Sequence, residues 1–172
     1  MKILVAYKSK TGFAKKYAEI IGNEVKADVL ELGKVTANKM SEYDVIVYGG
    51  GLYAGSINGY KQAKTMFESS TAKEFVLFAT GATPNTMKEK IEEVWKANLA
   101  EERESIPHFY MQGGLCYEKM GLLSKGLLKM MVGTLEKEYG YDENSEGPSI
   151  RRSHDISSKK YTEELVKYLL KA

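Results

Sequence analysis

Met1-Lys-Ile-Leu-Val-Ala-Tyr-Lys-Ser-Lys-Thr-Gly-Phe-Ala14 holds a strand, a turn and the start of a helix. Ile3, Leu4, Val5 and Ala6 form a short apolar run, the pattern of a strand buried on both faces. Ser9, Lys10, Thr11, Gly12, Phe13 and Ala14 follow at once. Tyr17, Ile20 and Ile21 then recur at helical spacing, so a helix begins near Gly12. A helix N-terminus carries N–H groups without intrahelical acceptors and a partial positive charge. Ser9 and Thr11 add hydroxyls, Gly12 permits close backbone approach, and Lys10 and Lys15 add charge. Such a turn suits an anion, and a phosphate best.

The same turn also reads as a plain helix cap, with Ser9 or Thr11 at the N-cap. No Gly-Lys-Ser/Thr closes it, and it lacks the three-glycine dinucleotide fingerprint. Nucleoside triphosphates and NAD are therefore disfavoured. A monophosphate cofactor remains.

A chain of 172 residues is expected to form one domain, 1–172, with a substantial core. Its 43% hydrophobic and 28% charged residues are ordinary for a globular protein. A formal charge of +2, with no dense basic run, gives no reason to expect nucleic acid as a partner. One cysteine, Cys116, excludes an internal disulfide and a Cys-rich zinc site. His108 and His154 are too few to suggest a metal cluster, so no metal is expected. The N-terminus reads as strand rather than signal peptide, and no apolar stretch is long enough to span a membrane. A reducing, cytoplasmic setting is the expectation.

Further strands are read at Ala27 to Leu32, of mixed polarity and nearer an edge, at Tyr43 to Tyr48, at Glu74 to Ala79, and at His108 to Gln112. Helices are read at 59–70 with Ala63, Met66 and Phe67 inward, and at 86–100 with Ile91, Val94 and Trp95 inward. The last helix, 162–171, buries Leu165, Val166, Leu169 and Leu170. Alternating strands and helices give a parallel sheet covered on both faces. The apolar strands run into Gly, Thr or Ser, as expected if they deliver loops to one carboxyl edge, where open α/β sheets bind ligands.

These features together resemble the flavodoxin-like FMN-binding family, from Met1 to about Gln112 and again in the last helix. The resemblance implies a doubly wound five-stranded parallel sheet of order 2-1-3-4-5 with helices on both faces. Ser9, Thr11 and Gly12 match the family's phosphate loop, in which the last Thr is here Ala14, leaving its N–H. The loop after the third strand, Gly51, Leu52, Tyr53, Ala54 and Gly55, is implied to run beside the flavin ring, with Tyr53 packed against it. A polar residue often found where Gly51 stands is missing. Thr80, Gly81, Ala82 and Thr83 match the segment on the pyrimidine side, without the stacking aromatic common there. Phe78 precedes that loop within its strand.

Roughly 40 residues separate the fifth strand from the last helix, long for a connection. This insert, about 115–155, contains an expected helix from Lys119 to Leu135. Met120, Leu123, Leu127, Met131 and Leu135 form a stripe, and Leu122, Leu128, Met130 and Val132 widen it. Lys119, Lys125, Lys129 and Lys137 fill much of the remainder, and 139–152 reads as an exposed polar loop. Three roles stay open: packing on the domain, a face for a second copy or an electron-transfer partner, and contact with a membrane surface or apolar substrate. In placement the insert resembles that of menaquinone-dependent protoporphyrinogen dehydrogenases. That likeness implies a flavin oxidoreductase acting on a quinone or porphyrinogen-type molecule. A flavodoxin-type electron carrier with a redox partner protein is the alternative, and an FMN-binding or flavin-free interaction module a third. Flavin redox chemistry needs no protein acid or base, and no residue is assigned as catalytic.

Overall fold

Of the 172 residues, the computed structural model describes 1–119 and 153–171, with 121, 122, 125, 126, 129, 130, 133, 134 and 137 between them. The chain runs β1 (Ile3–Lys8), α1 (Phe13–Val25), β2 (Asp28–Glu31), α2 (Ala37–Met40) and β3 (Val45–Tyr53). The end of β3 folds back into β4 (Ser56–Ile57), followed by α3 (Tyr60–Glu68), β5 (Glu74–Gly81), α4 (Lys88–Leu99) and β6 (His108–Gln112). A two-stranded ribbon, β7 (Gly114–Leu115) with β8 (His154–Asp155), precedes the C-terminal helix Glu163–Lys171.

The main sheet has the order β2-β1-β3-β5-β6, with β4 attached to β3. Counting only the five parallel strands, this is 2-1-3-4-5. Pairs such as Leu4↔Asp28, Leu4↔Ile46, Ile46↔Phe75 and Leu77↔His108 run parallel, so all five strands end at one edge.

Alternation along the strands sends side chains into two cores. Leu4, Ile46, Tyr48 and Leu77 meet Tyr60 and Ala63 of α3 and Ile91, Trp95 and Leu99 of α4. Val5, Val47, Val76, Phe78 and Met111 meet Tyr17, Ala18 and Ile21 of α1 and Leu165 and Leu169 of the C-terminal helix. Each such buried aliphatic or aromatic side chain contributes about 1.5–3 kcal/mol, which is why the apolar runs form strands here.

Several expectations shift. The third strand does not stop at Tyr48 but continues through Gly49, Gly50 and Gly51 to Tyr53. A Cβ on Gly49 would lie 1.9 Å from Cζ of Phe78, and one on Gly50 would lie 2.7 Å from the Asn58 carbonyl oxygen. These glycines admit a ring and a returning backbone. Leu170 is 67% exposed, because it lies about 100° around the helix from Leu169. Val94 is half-buried rather than inward.

Within the insert, Tyr117–Lys119 forms a 3-10 turn, and the described positions from 122 to 137 are helical. Leu122 and Met130 there are 90% and 83% exposed. The expected stripe of Met120, Leu123, Leu127, Met131 and Leu135, together with Leu128, Val132 and the loop 139–152, lies outside the described residues. Among the described residues no helix is long and apolar enough to cross a membrane.

Candidate functional site

The turn after β1 starts α1 without a side-chain cap. Gly12 occupies the N-cap in the left-handed region at φ 103°. Its N–H donates to Ser9 Oγ at 3.0 Å, so Ser9 braces the turn and neither Ser9 nor Thr11 is the N-cap. The first intrahelical bond closing this end runs from Lys16 N–H to the Gly12 carbonyl at 2.9 Å. By helix geometry the N–H groups of Phe13, Ala14 and Lys15 have no acceptor within α1. The first turn holds no acidic residue. Among the described residues a Cβ on Gly12 would meet nothing within 4 Å, so there the backbone angle rather than crowding calls for glycine. Ala14 is 1% exposed. Its methyl group packs inward, so the position offers its N–H rather than a hydroxyl.

A cavity of about 480 Å³ borders this turn, lined by Thr11, Gly12, Phe13 and Lys16 on one side and by Leu115, Cys116, Ser153, His154 and Asp155 on the other. The second wall comes from the β7–β8 ribbon, held by Ile156 N–H donating to the Gly113 carbonyl at 2.9 Å. The Phe13 ring lies against Gly113 and Gly114, where a Cβ would approach it to 3.0 Å. Lys16 Nζ pairs with Asp155 at 2.9 Å. Burial pushes the Asp155 carboxyl up, but hydrogen bonds from Ser157 and Lys16 outweigh it and hold the group below the usual carboxylate range.

The segment Gly51, Leu52, Tyr53, Ala54 and Gly55, expected as a loop, is instead the end of β3 and a two-residue hairpin turn. Leu52 pairs with Ile57 and Tyr53 with Ser56, while Ala54 and Gly55 take φ of 47° and 80°. Lys10 Nζ stands 4.1 Å from the centroid of the Tyr53 ring. Among the described residues, only Thr80 Oγ1, at 3.7 Å, comes within 4 Å of a Cβ on Gly51. Thr80 is 3% exposed and, with Gly81, belongs to β5 rather than to a loop.

Leu52, Ala54 and Gly55 face Gly81, Ala82 and Thr83 across a second cavity of about 440 Å³. Its remaining wall is Lys90, Glu93, Val94 and Ala97 of α4. The segment after β5 is fixed from below. Tyr110 Oη donates to the Thr83 carbonyl at 3.0 Å. Gln112 Oε1 accepts Asn85 N–H at 3.0 Å and Tyr161 Oη at 3.2 Å. Tyr17 Oη donates to the Gln112 carbonyl and accepts Ser158 N–H at 3.1 Å.

Two of the expected segments thus share one cavity, the third borders another, and Lys10 with Tyr53 joins them. The ribbon wall and the α4 wall escaped sequence reading. Gly113 and Gly114, directly after the fifth strand, are the local feature that could have marked the close approach of the Phe13 ring. Among the described residues no group of three or more His, Cys, Asp or Glu is placed to hold a metal.

Comparison with known proteins gives a match of the family model for a flavodoxin domain to residues 4–142. An uncharacterised protein of Methanocaldococcus jannaschii is 33% identical over 90 residues, covering 49% of this chain and 57% of that protein. The chain therefore spans little more than half the length of that relative. Solved structures of similar fold include a flavodoxin from the domain Archaea, 18% identical with a TM-score of 0.41, covering 82% of this chain and 100% of that one. A flavoprotein in complex with FMN from Lactobacillus acidophilus NCFM is 19% identical with a TM-score of 0.45, covering 64% of this chain and 91% of that one.

Proposed function

The chain belongs to the flavodoxin domain family, whose model covers residues 4–142, and on that premise we propose that it is an FMN-binding redox protein. The observation that carries this reading is the start of α1. There an uncapped helix end without acidic residues begins at Gly12, with no described atom within 4 Å of where a Cβ on that glycine would stand.

The residues fit the group at both ends. In this reading Ser9, Lys10, Thr11, Gly12, Phe13 and Ala14 hold the phosphate. Thr11 supplies a hydroxyl, the first turn of α1 supplies N–H donors, and Lys10 supplies charge. Gly51, Leu52, Tyr53, Ala54 and Gly55, with Thr80, Gly81, Ala82 and Thr83, hold the ring. Leu52, Ala54 and Ala82 give the cavity apolar walls, suited to a flat heteroaromatic. Thr80 is buried and supports that wall rather than touching the ligand by its side chain. When bound, FMN supplies a centre that takes up and releases one or two electrons. The chain's own residues bind and orient it, and none is assigned as an acid or base.

We extend the reading to a flavin oxidoreductase acting on a quinone or porphyrinogen-type molecule, with residues 1–172 as one cytoplasmic domain. A formal charge of +2 supports this over a carrier steered by bulk acidity. The insert supports it too. Exposed Leu122 and Met130 share its helical positions with Lys125 and Lys129, a composition suited to an apolar substrate or a membrane surface.

Titration of the purified protein with FMN, followed by fluorescence quenching, tests the first reading: saturation at one equivalent is expected, and no quenching overturns it. The reduced holoprotein is then mixed with a water-soluble menaquinone analogue, or with cytochrome c and a flavodoxin reductase. Rapid reoxidation by the analogue is expected. Reoxidation through the cytochrome alone turns the reading to a carrier.

A further inference from the structure

The turn between β3 and β4 is held in its shape from outside. Ala54 and Gly55 both have positive φ, at 47° and 80°, as in the type I′ hairpin turn. That turn favours Asn-Gly, because an Asn side chain tolerates the left-handed region. Alanine has no such tolerance, and no side-chain hydrogen bond of its own can hold it there.

The side chain of Asn98, in the last turn of α4, supplies what Ala54 lacks. Asn98 Oδ1 accepts Ile57 N–H at 2.8 Å. Asn98 Nδ2 donates to the Gly55 carbonyl at 2.8 Å and to the Val94 carbonyl, also at 2.8 Å. One primary amide thus satisfies a donor and an acceptor on the returning arm of the turn, while a third bond anchors it to its own helix. The orientation of the amide is fixed by these partners, since the reverse would set donor against donor at Ile57 and acceptor against acceptor at Gly55. Aspartate lacks the donor, and alanine lacks both groups.

What the clamp holds is the ring side of the site. Ala54 and Gly55 line the cavity shared with Gly81, Ala82 and Thr83, and Tyr53, directly before the turn, carries the ring under Lys10. We infer that Asn98 is a positioning residue for the cofactor's ring. It acts through the backbone of Ala54–Ile57 and holds Ala54 in its strained conformation. This inference rests on the FMN reading above.

Asn98→Ala, Asn98→Asp and the double variant Asn98→Ala with Ala54→Gly test it beside the parent chain. Amide exchange at Ile57 is measured in the flavin-free proteins, and FMN affinity and the midpoint potential at saturating FMN in the loaded ones. Asn98→Ala is expected to speed exchange at Ile57 about tenfold and to weaken FMN binding by a similar factor. Its potential at saturation should move away from the parent value. Asn98→Asp keeps the acceptor for Ile57 but sets a carboxylate oxygen against the Gly55 and Val94 carbonyls, so it should lose at least as much as Asn98→Ala. Glycine at position 54 carries no penalty at positive φ, so the double variant should bind FMN more tightly than Asn98→Ala and move its potential back toward the parent value. Unchanged exchange in Asn98→Ala overturns the clamp. Faster exchange with parent-like affinity and potential overturns the positioning role, and no recovery in the double variant overturns the strain at Ala54. A parent chain that does not quench FMN fails the FMN reading and the positioning role together. The exchange data still judge the clamp by itself.

Discussion

Lys10 Nζ lies 4.1 Å from the centroid of the Tyr53 ring, so a cation–π contact links the turn after β1 to the hairpin of β3 and β4. The ammonium group is exposed, and such a contact contributes about 0.5–1 kcal/mol. Its larger effect concerns an incoming phosphate, because Lys10 belongs to the turn that leads into the Gly12 N-cap of α1. Lys10→Gln should therefore weaken FMN binding several-fold while leaving the melting temperature close to that of the parent. Dissociation constants at low and high ionic strength check this. The parent should lose affinity more steeply with salt than the variant, and equal salt slopes would remove Lys10 from the site.

Thr11→Glu separates binding from stability by sign. An acidic residue beside an uncapped helix N-terminus stabilises it by about 0.3–1 kcal/mol. In the site it puts a carboxylate where the phosphate is proposed to sit. The variant should melt at or slightly above the parent temperature and fail to quench FMN fluorescence. Binding that survives unchanged would show the phosphate lies elsewhere.

Gly49 gives a test of the fold in which no ligand takes part. A Cβ there would lie 1.9 Å from Cζ of Phe78, and Phe78 is wholly buried, so its ring has nowhere to go. Gly49→Ala should cost about 1–3 kcal/mol by overpacking, measured by urea unfolding. Adding Phe78→Leu to that variant should be less damaging than adding it to the parent. Additive losses would mean that the two positions do not compete for space.

The same glycine shows why part of the molecule was legible in the sequence and part was not. Ile3 to Ala6 announces β1 because burial on both faces leaves no polar position in the run. The helix at Gly12 follows from spacing alone. The expected third strand stops at Tyr48, before Gly49, Gly50 and Gly51, because glycine is a local signal. The facts that make them strand, the Phe78 ring and the returning Asn58 carbonyl, are tertiary. Ala54 gave no sign of a hairpin, since its left-handed conformation is held by Asn98, 44 positions later in the chain. The walls supplied by α4 and by the β7–β8 ribbon were hidden for the same reason. Lys90, Val94, Ser153 and Asp155 enter the cavities through packing that no local pattern encodes. Leu170 failed differently: its hydrophobicity suggested burial, while the helical angle fixed by Leu165 and Leu169 turns it outward.

Tyr17 ties the site's floor to α1 and gives a prediction in alkaline solution. Its hydroxyl donates to the Gln112 carbonyl and accepts Ser158 N–H. Burial, opposed by the Ser158 hydrogen bond and reinforced by Tyr161 and Asp155, pushes its pKa up to about 12. A tyrosine in the unfolded chain titrates near 10. Between these values the unfolded chain releases a proton that the folded chain retains, so rising pH favours unfolding. The contribution of Tyr17 is therefore complete below about pH 10 and is lost as pH rises through about 12. Tyr17→Phe removes the titration and leaves Ser158 N–H and the Gln112 carbonyl without their partner, at a cost of about 2 kcal/mol near neutrality. Urea midpoints at pH 8, 10 and 11 are the measurement. The parent should lose stability more steeply than the variant above pH 10, so that the gap between them narrows. Other buried tyrosines, Tyr48 and Tyr60 among them, also have raised values, so the variant keeps a residual slope. Parallel midpoint curves for parent and variant would show that Tyr17 titrates alike in both states, and that its hydroxyl is not held as described.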